Sequence, residues 1–135
     1  MLFHPSHLIL HSFLTVEVFD VDSIKNCIHI ILEKWGRIDV LVTNIGVRKE
    51  TLIEDITTED YNHLLSVNLG GTFYYSQNVL KMMKEQNSGR IINISSFRGQ
   101  AGPLTSGAYY CASKLGPLAL TKHFARQIRA SPGIQ

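Results

Sequence analysis

Between residues 24 and 35 apolar side chains fall at Ile24, Cys27, Ile28, Ile31, Leu32 and Trp35. Steps of three and four put them on one face of a helix. Ser23 stands where an N-cap is expected and Gly36 where a C-cap is expected. Upstream, "LTVEVFDV" (14–21) reads as a short strand ending at Asp20. Downstream, "RIDVLVTNIG" (37–46) holds an unbroken apolar "VLV", the pattern of a strand buried on both faces of a parallel sheet. Residues 57–85 read as one long helix, with Thr57 as cap and Asp60 three positions on. Its apolar positions include Tyr61, Leu64, Leu65, Phe73, Val79, Leu80 and Met83, and "NSG" at 87–89 ends it. "RIINISS" (90–96) is another buried strand. A loop with Gly99, Gly102, Pro103 and Gly107 then leads to a last helix, 108–130, closed by Ser131-Pro132-Gly133.

Strands alternating with helices predict an α/β fold with a parallel sheet and right-handed crossovers. Ligands of such sheets bind beyond the carboxyl ends of the strands. Those ends are Asp20, Thr43-Asn44-Ile45-Gly46 and Ser95-Ser96, so polar residues gather where a site belongs.

Composition narrows the alternatives. With 135 residues, 44% hydrophobic and 18% charged, the chain suits one domain, expected at 14–135 behind an irregular leader at 1–13. A net charge of +2 offers no nucleic acid an electrostatic footprint. No apolar run reaches the roughly 18 residues of a membrane helix. The leader has no Lys or Arg and no small-residue cleavage site, so a signal peptide is not expected. Cys27 and Cys111 have no metal or redox spacing, which suits a reducing, cytoplasmic setting. His4, His7 and His11 lack a carboxylate or thiolate to complete a metal set, so no metal is expected.

The candidate chemistry lies in "YYCASK" (109–114). Tyr110 and Lys114 are four apart, about 40° apart on one helix face, whereas Tyr109 points away. An ammonium ~4 Å from a phenol would favour the phenolate by up to ~4 kcal/mol at an effective dielectric of about 20. That amounts to roughly three pKa units, offset in part by desolvation. A tyrosine tuned in this way can exchange a proton with a carbonyl or alcohol oxygen. The pair alone is a common helical spacing. "NISS", "TNIG" and "VNLGGTF" (67–73) add weight, the last placing Asn68 and two glycines within an apolar helix. Each interior glycine costs about 1 kcal/mol against alanine. Close packing against small residues would also explain the glycines.

Taken in order, "FDVDS", "WGRIDVLVTNIG", "VNLGGTFYYSQ", "GRIINISSFRGQAG" and "YYCASKLGPLALTK" resemble the short-chain dehydrogenase/reductase family over about residues 16–130. The resemblance implies a partial Rossmann-type parallel sheet with flanking helices, and hydride transfer between NAD or NADP and a small carbonyl or alcohol substrate. By position, Tyr110 is the expected acid/base, and Lys114 holds the nicotinamide ribose and lowers the tyrosine pKa. Ser96, the second serine of its pair, orients the substrate oxygen, and Asn68 completes a proton relay through water. Asp20 corresponds to an adenine contact, while Asn44 and Gly46 match the strand end beside the adenine ribose. Helices 57–85 and 108–130 resemble the subunit interface of a homo-oligomer.

The pattern departs from the family in places. The first glycine is Gly36, so the Gly-x-x-x-Gly-x-Gly turn that cradles pyrophosphate is not in this sequence. In the family order 3-2-1-4-5-6-7, the strand at 14–21 would be third and that at 38–43 fourth. The first two and the last strands are therefore expected to be lacking, leaving a three-stranded remnant with exposed edges. Ile45 stands in place of a small alanine and is expected to crowd the nucleotide, and Pro117 is expected to bend the last helix. A non-catalytic remnant that binds intact relatives through its long helices is the alternative function.

Overall fold

The structure, a computed structural model, describes residues 12–97, 107–128 and 133–135. Helix α1 (Val21–Trp35) precedes strand β1 (Val40–Thr43); α2 (Thr58–Leu65), a π-type segment (Ser66–Gly71) and α3 (Thr72–Gln86) follow. Strand β2 (Arg90–Asn93) and helix α4 (Ala108–Gln127) complete the order. The strands pair in parallel, Val40 with Arg90 through Thr43 with Asn93. The crossover between them is the α2–α3 arm, which gives the α/β architecture expected from the alternating pattern. A further parallel bridge, Gly89 to Ile134, starts next to β2, with Ile91 N donating to Gln135 O at 2.9 Å.

The core follows the helical stripes. Ile24 and Ile28 of α1 meet Val79, Leu80 and Met83 of α3, joined by Ile128 and Ile134. Gln86 clamps the entry to β1: its Nε2 donates to Ile38 O at 3.0 Å and its Oε1 accepts from Ile38 N at 3.3 Å. Gly36 closes α1 with φ 74°, and Asn87 closes α3 with φ 48°, both left-handed as the sequence suggested for these stops.

Several expectations change. Residues 14–21 form no strand. The segment turns, Asp20 N donating to Glu17 O at 3.0 Å, and Asp20 rather than Ser23 caps α1 by accepting from Asp22 N. Ser23 Oγ instead accepts from Glu17 N at 3.1 Å. The reason is a missing ladder: a strand is held by its neighbour's backbone, and β1 pairs only with β2 among the described residues. Consequently, among the described residues, the sheet has two strands, not three, and its strands are covered on one face only. Val40 and Val42 remain 53% and 55% exposed, with Ile92 and Ile94 beside them, so the "VLV" run is not buried on both sides.

The long helix is also interrupted. At Ser66–Gly71 it widens into a π-type turn, the sort of local bulge that inserts a residue into a helix and re-aims its side chains. Gly71 has a steric reason to be glycine. A Cβ there would lie 2.9 Å from the Val18 carbonyl oxygen and 3.2 Å from Ile45 Cδ1. The segment before α1 and the loop after β1 thus both rest on its bare backbone. Gly71→Ala should cost about 1–3 kcal/mol by overpacking, outweighing the roughly 1 kcal/mol gained in helix propensity. Urea denaturation compared with wild type measures this, and a more stable Gly71→Ala would show the packing to be loose. As expected, Pro117 lies inside the last helix: α4 runs from Ala108 to Gln127 with Pro117 fully buried, and Thr121 Oγ1 donates to the Pro117 carbonyl at 2.7 Å. The predicted helix end at 129–130 lies outside the described residues.

Tyr75 on α3 faces α1. Burial first, then the charge and hydrogen bond of Cys27, push its phenol up to about 12 from 10.0. The unfolded chain therefore releases this proton first as pH rises, so stability present below pH 10 falls between about pH 10 and 12. Tyr75→Phe should flatten this alkaline loss, as read from urea midpoints at pH 9 and 11.

Candidate active site

Three elements meet beyond the carboxyl end of β1: the exit loop 44–47, the π-type segment and the first turns of α4. Asn68, in the π-type segment, is fully buried and holds all three. Its Oδ1 accepts from Val47 N at 2.7 Å, and its Nδ2 donates to Val47 O at 3.0 Å and to Ser113 Oγ at 2.9 Å. The carbonyl of Asn68 accepts from Thr72 Oγ1 at 3.0 Å. The side chain thus pairs with the exit loop much as a neighbouring strand would.

Lys114 reaches the same loop from α4. Its Nζ donates to the Ile45 carbonyl at 2.7 Å, and the residue is only 7% exposed. Burial lowers its pKa from the ordinary lysine value, because a desolvated ammonium is disfavoured. Gly46 makes this approach possible: a Cβ on it would sit 2.5 Å from Lys114 Nζ and 3.7 Å from Asn68 Oδ1. Gly46→Ala should therefore spare stability to within about 1 kcal/mol, since the clash falls on the end of a flexible side chain. It should expel the ammonium toward solvent and raise the Lys114 pKa toward 10.5, the ordinary value. An NMR titration of labelled lysine would read this shift, and an unmoved Lys114 would refute it.

Tyr110 and Tyr109 are both buried, packed with Leu64 of α2. They serve different places. Tyr109 donates its hydroxyl to the Lys49 carbonyl at 3.3 Å, away from Lys114. Lys49 in turn pairs with Asp60 at 2.6 Å, an exposed contact that raises the lysine pKa and lowers that of the carboxyl. Tyr110 occupies the Lys114 side of the helix, one turn earlier, and its carbonyl accepts from Ser113 Oγ at 2.8 Å. After β2, Ser95 Oγ donates to the Lys114 carbonyl, binding the strand end to α4, while Ser96 is half-buried beside it. A second cross-link runs Thr43 Oγ1 to Asn93 Oδ1 at 2.8 Å and Asn93 Nδ2 to Thr121 Oγ1 at 2.9 Å.

Of the residues singled out in the sequence, Asn68, Gly46 and Lys114 are thus brought together, with Tyr110 and the Ser95–Ser96 strand end on the same helix–loop junction. Asn44 is exposed on the exit loop. Asp20 lies two residues beyond Val18, whose carbonyl rests on Gly71, and its carboxylate is engaged as the α1 cap. The Ile45 side chain lies against Gly71. Sequence reasoning missed Ser113 and Thr72. A serine between a tyrosine and a lysine on one helix looks like ordinary filler until its partner on another helix is known. His4, His7, His11 and the loop glycines 99 and 102 lie outside the described residues. Among those described, no group of three His, Cys, Asp or Glu is placed to hold a metal, and no helix is long and apolar enough to cross a membrane.

Known proteins resemble this chain in sequence and in fold. The sequence model of the short chain dehydrogenase family matches residues 9–134. The 3-oxoacyl-acyl-carrier-protein reductase of Thermotoga maritima is 37% identical over 113 residues, covering 84% of this chain and 46% of that protein. The corresponding reductase of Synechocystis is 39% identical over 117 residues, covering 87% and 47%. The acetoacetyl-CoA reductase of Shinella zoogloeoides is 36% identical over 117 residues, covering 84% and 48%. The solved structure of ElxO with NADP bound superposes with a TM-score of 0.85 at 34% identity, over 92% of this chain and 50% of that one. The chain spans about half the length of the curated relatives it matches. A family match across nearly the whole chain, with a solved structure of 34% identity superposing at a TM-score of 0.85, makes this chain a member of the short-chain dehydrogenase family.

Proposed function

We propose that this chain carries the proton-transfer half of an NAD(P)-dependent oxidoreductase acting on a small carbonyl or alcohol. The observation that supports this reading most is the buried lysine. An ammonium kept from water, lowered in pKa and bonded to the Ile45 carbonyl is an unusual investment unless it serves the tyrosine one turn away. The bound nicotinamide would supply or accept the hydride. Tyr110 gives or takes the proton at the substrate oxygen, Ser96 orients that oxygen, and Lys114 holds a ribose hydroxyl and favours the phenolate. Asn68 fixes the exit loop on which Lys114 rests. Gly46 and Asn44 fit the cofactor's side of the site, where the bare glycine lets the Lys114 ammonium lie against the exit loop. Asp20 is the proposed adenine contact. The relatives' names suggest 3-oxoacyl thioesters as first substrates to try, and a cytoplasmic location suits a reductase of this sort.

Calorimetric titration of this chain with NADH and NADPH is the decisive experiment. Micromolar binding supports the reading. No binding up to millimolar nucleotide refutes it for this chain alone and favours a second reading, an assembly partner. The open apolar sheet face of Val40, Val42, Ile92 and Ile94 is what favours that alternative. Gel filtration with an intact relative tests it: mixed species support association, and separate elution at all concentrations counts against it. The homo-oligomer formed through α2–α3 and α4 is read in the same experiment.

A further inference from the structure

We propose that Ser113 is a positioning residue that sets where the Lys114 ammonium sits. It acts through Asn68 and touches no reacting atom itself. Ser113 is fully buried and accepts from Asn68 Nδ2 at 2.9 Å while donating to the Tyr110 carbonyl at 2.8 Å. The second bond is the ordinary back-bond of a helical serine. The first leaves the helix altogether and ends on the π-type segment. From Asn68 the path continues to both backbone groups of Val47, and two residues earlier the Ile45 carbonyl receives Lys114 Nζ. Lys114 follows Ser113 directly in the chain. The hydrogen bonds therefore close a circuit: α4 holds Asn68, Asn68 holds the exit loop, and the exit loop holds the α4 lysine.

The circuit has a local need for this tie. Pro117 has no N–H to donate to the Ser113 carbonyl, so α4 lacks one of its own hydrogen bonds at this turn. Without the Asn68 bond, α4 near Ser113 would be held to the exit loop, among the described side-chain hydrogen bonds, only by the lysine that needs positioning. With it, the distance between Lys114 Cα and the Ile45 carbonyl is set by short contacts, one fully buried between Ser113 and Asn68 and two between Asn68 and the Val47 backbone. An alanine would keep the helix but leave Asn68 Nδ2 without this acceptor, so the tie depends on the Ser113 oxygen lone pair.

This inference rests on Lys114 and Tyr110 being the working pair, but its test uses no nucleotide. Two signals are read on the full chain: exchange of the Val47 amide, and the slowly exchanging 1H–15N ammonium signal expected of a hydrogen-bonded Lys114. Ser113→Ala should speed Val47 exchange by about tenfold relative to the amides of Ile24 and Val79, the loss expected of one buried hydrogen bond. It should also broaden or abolish the Lys114 ammonium signal. Ser113→Thr, which keeps the hydroxyl, should restore both. A folded Ser113→Ala with wild-type Val47 exchange and an intact Lys114 signal overturns the proposal. If Ser113→Ala does not fold, Ser113→Cys replaces it, because a thiol is a poor acceptor in nearly the same volume. Unchanged signals in that variant are equally fatal. Failure of nucleotide binding with these shifts present would sink the proposed function and leave the positioning role standing.

Discussion

Asn68→Ala is expected to lose about 3–5 kcal/mol, a large part of the roughly 5–15 kcal/mol that stabilises a typical domain. Three side-chain hydrogen bonds disappear at once, and Ser113 Oγ loses its buried donor. Each such bond contributes about 1 kcal/mol net, and a buried group left unpaired costs about 1–3 kcal/mol. The exit loop has no strand beyond β1 to replace the lost support, since β1 pairs with β2 alone among the described residues. Asn62→Ala, exposed on α2, should change stability by about 0.5 kcal/mol or less. Urea midpoints with unchanged slopes measure both. A loss below about 1 kcal/mol for Asn68→Ala would mean that water takes over its contacts.

Tyr110→Phe should reduce NAD(P)H-dependent turnover by about 10²–10⁴, the usual contribution of a positioned acid–base group. At about 1.36 kcal/mol per factor of ten, this is roughly 3–5 kcal/mol of transition-state stabilisation. Tyr109→Phe is the matched control. Its hydroxyl is spent on the Lys49 carbonyl, so it should lose about 1 kcal/mol of stability and keep its rate within a few fold. Steady-state turnover with NADPH and a 3-oxoacyl thioester distinguishes them. Equal loss in both variants, or none in Tyr110→Phe, would remove Tyr110 from the acid–base role.

The two tyrosines illustrate what was legible. Helical periodicity alone separated them, because position within 3.6 residues per turn is a property of local sequence. The same local logic found α1 and its Gly36 stop, the Thr57 cap that accepts from Asp60 N, and the asparagine stop at 87. It failed at residues 14–21, where an alternating pattern met no neighbouring strand. It failed again at 66–71, where a helical pattern conceals a change of winding. Ser113 escaped notice for a related reason: its partner, Asn68, is 45 residues away.

The sequence by itself determined where α1, the two paired strands and α4 lie, their order and the family they belong to, because caps, glycine stops and apolar periods act within a turn or two of chain. Only the tertiary structure decided that Asn68 faces Ser113 and Val47, that Gly46 yields its space to Lys114, and that one face of the sheet stays open. Those outcomes depend on which backbones come to lie side by side. A strand without a ladder partner, or a polar side chain without its buried counterpart, carries no mark of that in its own neighbourhood.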